Sequence, residues 1–167
     1  YKAKKFADSL NLQSRNIPIE VRDYQIDAFV HAMQRKKCLL LSPTASGKSL
    51  IIYLLYRQFL DYQGLKGLII VPTTSLVEQL YNDFIDYSSS NGFDVETNVH
   101  KVYQGRDKHS NKSLVISTWH SLYQLPKEYF EQYDYIIGDE AHLFKAQSLT
   151  TIMTSAINTK YRIGLTG

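Results

Sequence analysis

The sequence predicts an α/β domain with a mainly parallel sheet and helices on both faces. Short apolar runs alternate with amphipathic segments along the chain, a pattern typical of strands that alternate with helices. The run at 68–71 (LIIV) is apolar at every position, as expected for a strand covered on both faces. The run at 38–41 (CLLL) leads into a loop of small residues that opens a helix. This last arrangement is the context that a phosphate-binding loop requires.

The composition fits one domain of ordinary size. The chain has 167 residues with 44% hydrophobic content, and a domain of this length buries roughly 70% of its unfolded surface. No apolar run approaches the ~18 residues that a membrane-spanning helix needs, and the single Cys38 fits a reducing compartment. We therefore expect a cytoplasmic protein without a membrane partner. The net charge of +3 permits nucleic-acid binding but does not argue for it.

The amino-terminal part is the least patterned. Residues 1–16 are polar and weakly periodic, and we interpret them as a helix or linker left from a preceding segment, with the main domain covering 17–167. The start has neither an initiating Met nor an apolar signal region, so we expect a fragment of a longer protein. Pro18 predicts an extended segment. Residues 22–35 predict a helix with one apolar face, formed by Tyr24, Ala28, Phe29, Ala32 and Met33.

The loop at 42–49 (SPTASGKS) carries the first chemical signal. Gly47 lets the backbone close on an anion, and the free N–H groups of the helix start point at it. Lys48 would reach the outer phosphates, and the Ser49 hydroxyl would bind Mg²⁺. The usual pattern has a glycine six residues before the lysine, where this chain has Ser42. The alternative is an ordinary helix start with a chance Gly-Lys-Ser.

The middle of the chain predicts one more strand–helix unit. The helix after the loop should run to about Tyr62, with Gly64 and Gly67 in the following turn. The strand at 68–71 ends at Pro72, and Ser75-x-x-Glu78 has the spacing of a capping box at the start of the next helix. That helix has a buried stripe of Leu76, Val77, Leu80, Tyr81 and Phe84.

The remaining segments continue the alternation. We expect a loop at 88–92, an exposed polar stretch at 104–112, a short helical turn at 127–132 and a helix at 148–156. We expect strands within 94–103 and at 114–116, 133–138 and 162–165. Trp119, at a strand end, should be packed rather than stacked on a base.

The sequence DEAH, at 139–142, gives the second chemical signal. Asp139 ends an apolar strand and can hold the Mg²⁺ that Ser49 also touches. Glu140 is then free to orient or deprotonate the attacking water. A solvated acidic turn is the alternative for this tetrapeptide taken alone. We expect Lys48 and the two acids to converge on one pocket at neighbouring strand tips, which predicts an ATPase.

Together these segments resemble the first motor domain of superfamily 2, DEAH-box helicases. SPTASGKS, VPTTSLVEQL, VISTWHSL, DEAH and GLTG occur in the order of that family's motifs, from about Val21 to Gly167. The sequence between the motifs most resembles that of the phage UvsW-type recombination helicases. The resemblance implies a RecA-like P-loop NTPase fold that uses ATP and Mg²⁺. It also implies a second RecA-like domain, missing here, that carries an arginine finger, so the isolated fragment should be nearly inactive.

The resemblance also assigns roles to residues outside the two chemical signals. It implies that Arg22 and Gln25 border the adenine, and that the loop residues Pro43, Thr44, Ala45, Ser46 and Gly47 hold the phosphates with Lys48 and Ser49. Pro72, Thr73, Thr74 and Thr118 would contact a nucleic-acid backbone, although Thr73 and Thr74 could equally cap a helix. His142 and Thr166 would relay the phosphate state.

Three functions stay open at this point. The first is a DNA helicase or branch-migrating translocase, with branched DNA or R-loops as substrates and, given the phage resemblance, an infected host cell as its location. The second is the ATP-driven translocase subunit of a restriction system. The third is a nucleotide-dependent nucleic-acid-binding module without motor action. RNA as the substrate also stays open, because backbone contacts alone do not identify the sugar.

Overall fold

A six-stranded parallel sheet forms the centre of the structure. The computed structural model describes residues 2–41, 45–103, 106–122, 125–139 and 159–166, with the backbone alone for 37–41, 45, 46 and 166. The strands of the sheet are β3 (Lys37–Leu41), β4 (Gly67–Val71), β5 (Val99–Val102), β6 (Leu114–Thr118), β7 (Tyr135–Gly138) and β8 (Tyr161–Thr166). Their order across the sheet is β3-β8-β7-β4-β6-β5. Every neighbouring pair is parallel, which confirms the predicted sheet.

Two of the described helices precede β3, and the others lie in connections between strands of the sheet. The helices are α1 (Lys2–Ser9), α2 (Asp23–Arg35), α3 (Ala45–Gln63), α4 (Thr74–Tyr87), α5 (Val95–Asn98) and α6 (Lys127–Phe130), with a 3-10 turn at Trp119–Ser121. The predicted helix at 148–156 lies outside the described residues. No helix in the described part of the chain is long and apolar enough to cross a membrane.

The sheet is covered on both faces. Alternate residues of β4 divide between two hydrophobic clusters: Ile69 and Val71 belong to the larger one, Leu68 and Ile70 to the smaller. The larger cluster includes side chains of α1 to α4, and the smaller includes Trp119 and the side chains of α6. The continuous apolar run at 68–71 is therefore explained by burial on both sides. Trp119 is packed, as predicted.

The amino-terminal residues fold against the main domain. Residues 13–14 and 17–18 form an antiparallel hairpin, β1 (Gln13–Ser14) and β2 (Ile17–Pro18), which spans the boundary that the sequence suggested at residue 16. The two turn residues, Arg15 and Asn16, have φ values of 51° and 64°, as a two-residue hairpin turn of type I′ requires. Buried side chains of α1 join the larger core cluster.

Two local predictions were wrong. The cap of α4 is Thr73, whose hydroxyl accepts a hydrogen bond from Leu76 N at 3.2 Å, rather than Ser75. The Glu78 carboxylate instead accepts bonds from Tyr103 and Lys101 on the β5 side, at 2.6 and 3.1 Å. Gly67 is the first residue of β4 rather than part of a turn, and it pairs with Tyr135 on β7. The Tyr135 ring fills the space where a side chain at residue 67 would be, which explains the glycine.

Candidate active site and nucleic-acid interface

The structure brings Lys48 and Asp139 together at the carboxyl edge of the sheet. Lys48 lies in the first turn of α3, and Asp139 directly follows β7. The Lys48 Nζ atom is 3.9 Å from Asp139 Oδ1, and the two side chains are only 4% and 13% exposed. The sequence analysis expected β3 and β7, the strands that lead to them, to be neighbours. This was wrong, because β8 lies between the two strands.

The chemistry at Asp139 suits a divalent cation. Its amide N–H donates to the carbonyl of Ile70 at 2.8 Å, which fixes the residue at the strand end. Burial raises the pKa of the carboxyl group, and the Lys48 ammonium opposes this increase. No donor within the described residues forms a hydrogen bond with Oδ1. Such a carboxylate oxygen is the kind of hard ligand that Mg²⁺ prefers, so this residue fits the predicted metal role.

Ser49 has a hydrogen-bond partner on α4, since its Oγ atom is 2.7 Å from the Tyr87 hydroxyl. Burial raises the pKa of the neighbouring Asp83 carboxyl group, and the Ser49 hydroxyl opposes this increase. Burial raises the pKa of Tyr87 to about 12, so its hydroxyl is neutral at physiological pH. Sequence reasoning assigned nothing to Asp83 or Tyr87. Their only sequence signal is that they are polar groups on a helix with an apolar stripe.

These residues surround one cavity. Lys48, Ser49 and Asp139 line a space of about 500 Å³ at the carboxyl edge. Its remaining wall is supplied by α4 and the amino-terminal hairpin, through Ser14, Arg15, Leu76, Gln79, Leu80, Asp83, Asp86 and Tyr87. The hairpin is held there by Asp86, whose two carboxylate oxygens accept bonds from Arg15 N at 2.8 Å and Ser14 Oγ at 3.2 Å. Ser14 and Arg15 of the hairpin thus help to form the site.

Helix α2 packs directly on the phosphate loop. The Gln25 amide accepts a bond from Arg22 N at 2.8 Å through Oε1 and donates to the Gly47 carbonyl at 3.4 Å through Nε2. A Cβ atom at Gly47 would lie 2.7 Å from the Tyr24 hydroxyl. A side chain at Gly47 would therefore force the Tyr24 side chain, itself 37% exposed, to move. Gln25 is buried and contacts the first turn of α3, while Arg22 has an exposed side chain.

The predicted nucleic-acid residues also converge. Val71 at the end of β4 pairs with Thr118 at the end of β6, so the loops that follow both strands meet at the same edge. Pro72, Thr73, Thr74 and Thr118 line one groove of about 650 Å³. The sequence analysis did not assign the other residues that line it, which are Tyr103, Arg106, Lys108, His120 and Ser121. The two basic residues, Arg106 and Lys108, lie in the polar stretch at 104–112. The polar and basic composition of that stretch is the sequence signal that could have identified them.

Several predicted site residues cannot be placed. Pro43, Thr44, Glu140 and His142 lie outside the described residues, and of Ala45, Ser46 and Thr166 the backbone alone is described. The Thr166 backbone ends β8 and pairs with Leu41, the last residue of β3. It therefore lies at the same sheet edge as the phosphate loop.

Comparison with known proteins identifies the family. A family model described as "Type III restriction enzyme, res subunit" matches residues 18–167. The chain belongs to this family. Within it, the chain is the first RecA-like domain of a superfamily 2 helicase, as the sequence motifs predicted.

Two curated relatives of this superfamily 2 domain are described as DNA motors. The chain is 37% identical over 163 residues to "ATP-dependent DNA helicase uvsW" of Enterobacteria phage T4, covering 95% of the chain and 32% of that protein. It is 26% identical over 162 residues to "DNA 3'-5' translocase XPB2" of Sulfurisphaera tokodaii, covering 95% of the chain and 33% of that protein. The chain thus spans about a third of the length of the curated relatives it matches.

Solved structures agree on the RecA-like fold. A crystal structure of the UvsW helicase from bacteriophage T4 matches with a TM-score of 0.87 and 34% identity, covering 99% of this chain and 58% of that one. The Sulfolobus solfataricus SWI2/SNF2 ATPase core in complex with dsDNA matches with a TM-score of 0.70 and 22% identity, covering 94% of this chain and 34% of that one. The second match shows the fold alone.

Proposed function

We propose that this domain is the first motor lobe of an ATP-dependent DNA helicase or translocase that acts on branched DNA or R-loops. The observation that carries the proposal is the buried pairing of Lys48 with Asp139 beside a cavity of about 500 Å³. The resemblance to UvsW supports DNA as the substrate and the cytoplasm of a phage-infected cell as the location. A second RecA-like lobe completes the motor.

The proposed chemistry is hydrolysis of ATP. The Lys48 ammonium and the loop N–H groups neutralise the phosphates, and electrostatic stabilisation of this kind supplies most of the acceleration in related reactions. Asp139 and the Ser49 hydroxyl would hold Mg²⁺, which neutralises phosphate charge when it is bound. Glu140 orients or deprotonates the attacking water. Arg22 and Gln25 border the adenine, while His142 and Thr166 relay the phosphate state to the groove of Pro72, Thr73, Thr74 and Thr118.

Glu140→Gln in the intact protein tests this assignment. The amide can still hold a water by hydrogen bonding but cannot accept its proton, so turnover should be abolished while ATP binding stays nearly unchanged. DNA-stimulated phosphate release and equilibrium ATP binding are the two measurements. Equal loss of both would assign Glu140 to structure or binding instead.

A second candidate is the translocase subunit of a restriction system. The description of the matching family model favours it. Such a motor moves along duplex DNA without separating the strands. A strand-displacement assay and a triplex-displacement assay on the same duplex distinguish the two: a helicase is active in the first, and a pure translocase in the second alone.

A further inference from the structure

The groove beside Thr73 and Thr118 is lined by two chemically different sets of residues. The first set, called the hydroxyl wall, consists of Thr73, Thr74, Thr118 and Ser121. The second set, called the basic wall, consists of Arg106 and Lys108 together with His120. No acidic residue lines the groove within the described part of the chain. A groove lined by both hydroxyl groups and cationic side chains suits an extended polyanion.

The basic wall is held in place by the body of the domain. The Lys108 carbonyl accepts a hydrogen bond from the Tyr129 hydroxyl at 2.7 Å. The Arg106 N–H donates to the Tyr103 carbonyl at 2.9 Å, and the Arg106 guanidinium lies over the Tyr103 ring at 4.8 Å from its centroid. The segment is therefore positioned before any ligand binds, which lowers the entropy lost on binding.

The charges on this wall form no salt bridge with the described acids. Glu78 interacts with the Arg106 charge at longer range, but its carboxylate oxygens accept their hydrogen bonds from Lys101 and Tyr103. The Asp107 side chain accepts a bond from the His109 N–H. Among the described residues, neither Arg106 nor Lys108 forms an ion pair within 4.0 Å. Both side chains are exposed.

We propose that Arg106 and Lys108 bind backbone phosphates of the same nucleic-acid strand that contacts the hydroxyl wall. This inference rests on the proposed function and extends its binding site by a basic segment that none of the helicase-like motifs includes. The contacts would be independent of base sequence, because phosphate contacts position a strand without reading it. The Arg106 guanidinium lies over one face of the Tyr103 ring. We therefore assign this ring the role of supporting the guanidinium, not of stacking on a base.

The test measures the salt dependence of DNA binding in the intact protein. Binding of a fluorescein-labelled oligothymidylate is followed by anisotropy over a series of salt concentrations, for wild type, Arg106→Gln and Lys108→Gln. Each lost phosphate contact lowers the slope of log K against log salt by about 0.7 for a single strand. We expect that decrease for each variant and about twice as much for the double variant. Arg106→Lys and Lys108→Arg should keep most of the wild-type slope.

Lys112→Gln is the matched control. It removes the same charge from the same segment, but the Lys112 ammonium donates to the Glu96 carbonyl at 2.7 Å and does not line the groove. Its slope should equal that of wild type, and ATP hydrolysis without DNA should be unchanged in all variants. Unchanged slopes for Arg106→Gln and Lys108→Gln, or an equal decrease for Lys112→Gln, would overturn this inference alone. A wild-type protein that does not bind the oligonucleotide would overturn the proposed function with it.

Discussion

Lys48 and Asp139 form a buried pair of opposite charge at the edge of the sheet. At 3.9 Å the two charged groups are too far apart for a direct hydrogen bond with each other. Taking two charges out of water costs several kcal/mol each. The raised pKa of Asp139 reflects the same cost of burial. Such an arrangement is expected where the charges have a ligand to bind.

Two buried tyrosines should respond oppositely to loss of their hydroxyl groups. The Tyr53 hydroxyl accepts a bond from Arg57 at 2.8 Å and lies 2.6 Å from Ser88 Oγ, so Tyr53→Phe leaves buried polar groups unsatisfied. We expect a loss of about 1–3 kcal/mol in the free energy of unfolding. The Tyr135 hydroxyl has no hydrogen-bond partner in the described residues. Tyr135→Phe should therefore be neutral or stabilising by up to about 1 kcal/mol.

Urea denaturation of both variants at neutral pH measures this difference. Tyr135→Phe is the control for Tyr53→Phe, because both remove one hydroxyl from a fully buried ring. Similar losses of stability in the two variants would contradict the hydrogen-bond assignment.

Helix α4 shows where local patterns are sufficient and where they are not. Its apolar stripe predicted the buried face, since Val77, Leu80, Tyr81 and Phe84 are all buried. Its start was misplaced because both Thr73 and Ser75 have side chains suited to a cap. Contacts of Glu78 with Lys101 and Tyr103, more than twenty residues away, decide between them. Such contacts are absent from any local sequence window.

These contacts predict a pH dependence for the attachment of α4 to β5. The hydrogen bond from Tyr103, and then the one from Lys101, lower the pKa of Glu78 from its usual 4.5. The folded state therefore binds this proton less tightly than the unfolded state does, so the stabilisation is present above the usual pKa. It is lost as the pH falls through the lowered folded-state pKa.

Glu78→Gln should lower the free energy of unfolding at neutral pH by less than about 1 kcal/mol, because the site is partly exposed and screened. The difference from wild type should vanish in acid. Urea denaturation over a pH series measures this difference in the free energy of unfolding. Tyr103→Phe and the double variant Glu78→Gln/Tyr103→Phe complete a double-mutant cycle. A difference that stays constant down to acid pH would show that the carboxylate charge is not involved.

At the scale of the molecule, the order of strands places the two candidate sites side by side. The phosphate loop and Asp139 follow β3 and β7, whereas the groove of Thr73 and Thr118 follows β4 and β6. Because β7 and β4 are neighbours, the Asp139 N–H donates directly to Ile70, one residue before the end of β4. One backbone hydrogen bond therefore links Asp139 to the strand that leads into the groove.

The sequence could predict which loops carry the chemistry but not how the strands are arranged. Apolar runs and the loop motifs identify β3, β4, β6 and β7, and parallel strands put their carboxyl ends at one edge. The insertion of β8 between β3 and β7 follows from packing across the sheet, which no single segment encodes. The hairpin was missed for a similar reason. Its Arg15-Asn16 turn lacks the usual glycine, and Asp86, 71 residues away, holds it.

If the cavity beside Lys48 binds nucleotide phosphates, nucleotide must stabilise the whole fold. A ligand at 100 times its dissociation constant raises the free energy of unfolding by about 2.7 kcal/mol. We expect Mg²⁺–ADP to produce this increase in wild type. Lys48→Met keeps the length of the side chain but removes the charge, and loss of a charged hydrogen bond costs about 1.5–3 kcal/mol. Most of the increase at the same ADP concentration should therefore disappear.

Lys66→Met controls for the general effect of removing a partly buried lysine. Its ammonium donates to the Ser110 carbonyl and to Gln132 Oε1, next to the amino-terminal end of β4 and away from the cavity. This variant should unfold more easily yet gain as much stability from Mg²⁺–ADP as wild type, because the phosphate contacts are intact. Thermal and urea unfolding with and without the nucleotide measure both gains. An undiminished gain in Lys48→Met would mean that nucleotide phosphates do not bind at Lys48, since linkage requires every lost contact to appear as lost stabilisation.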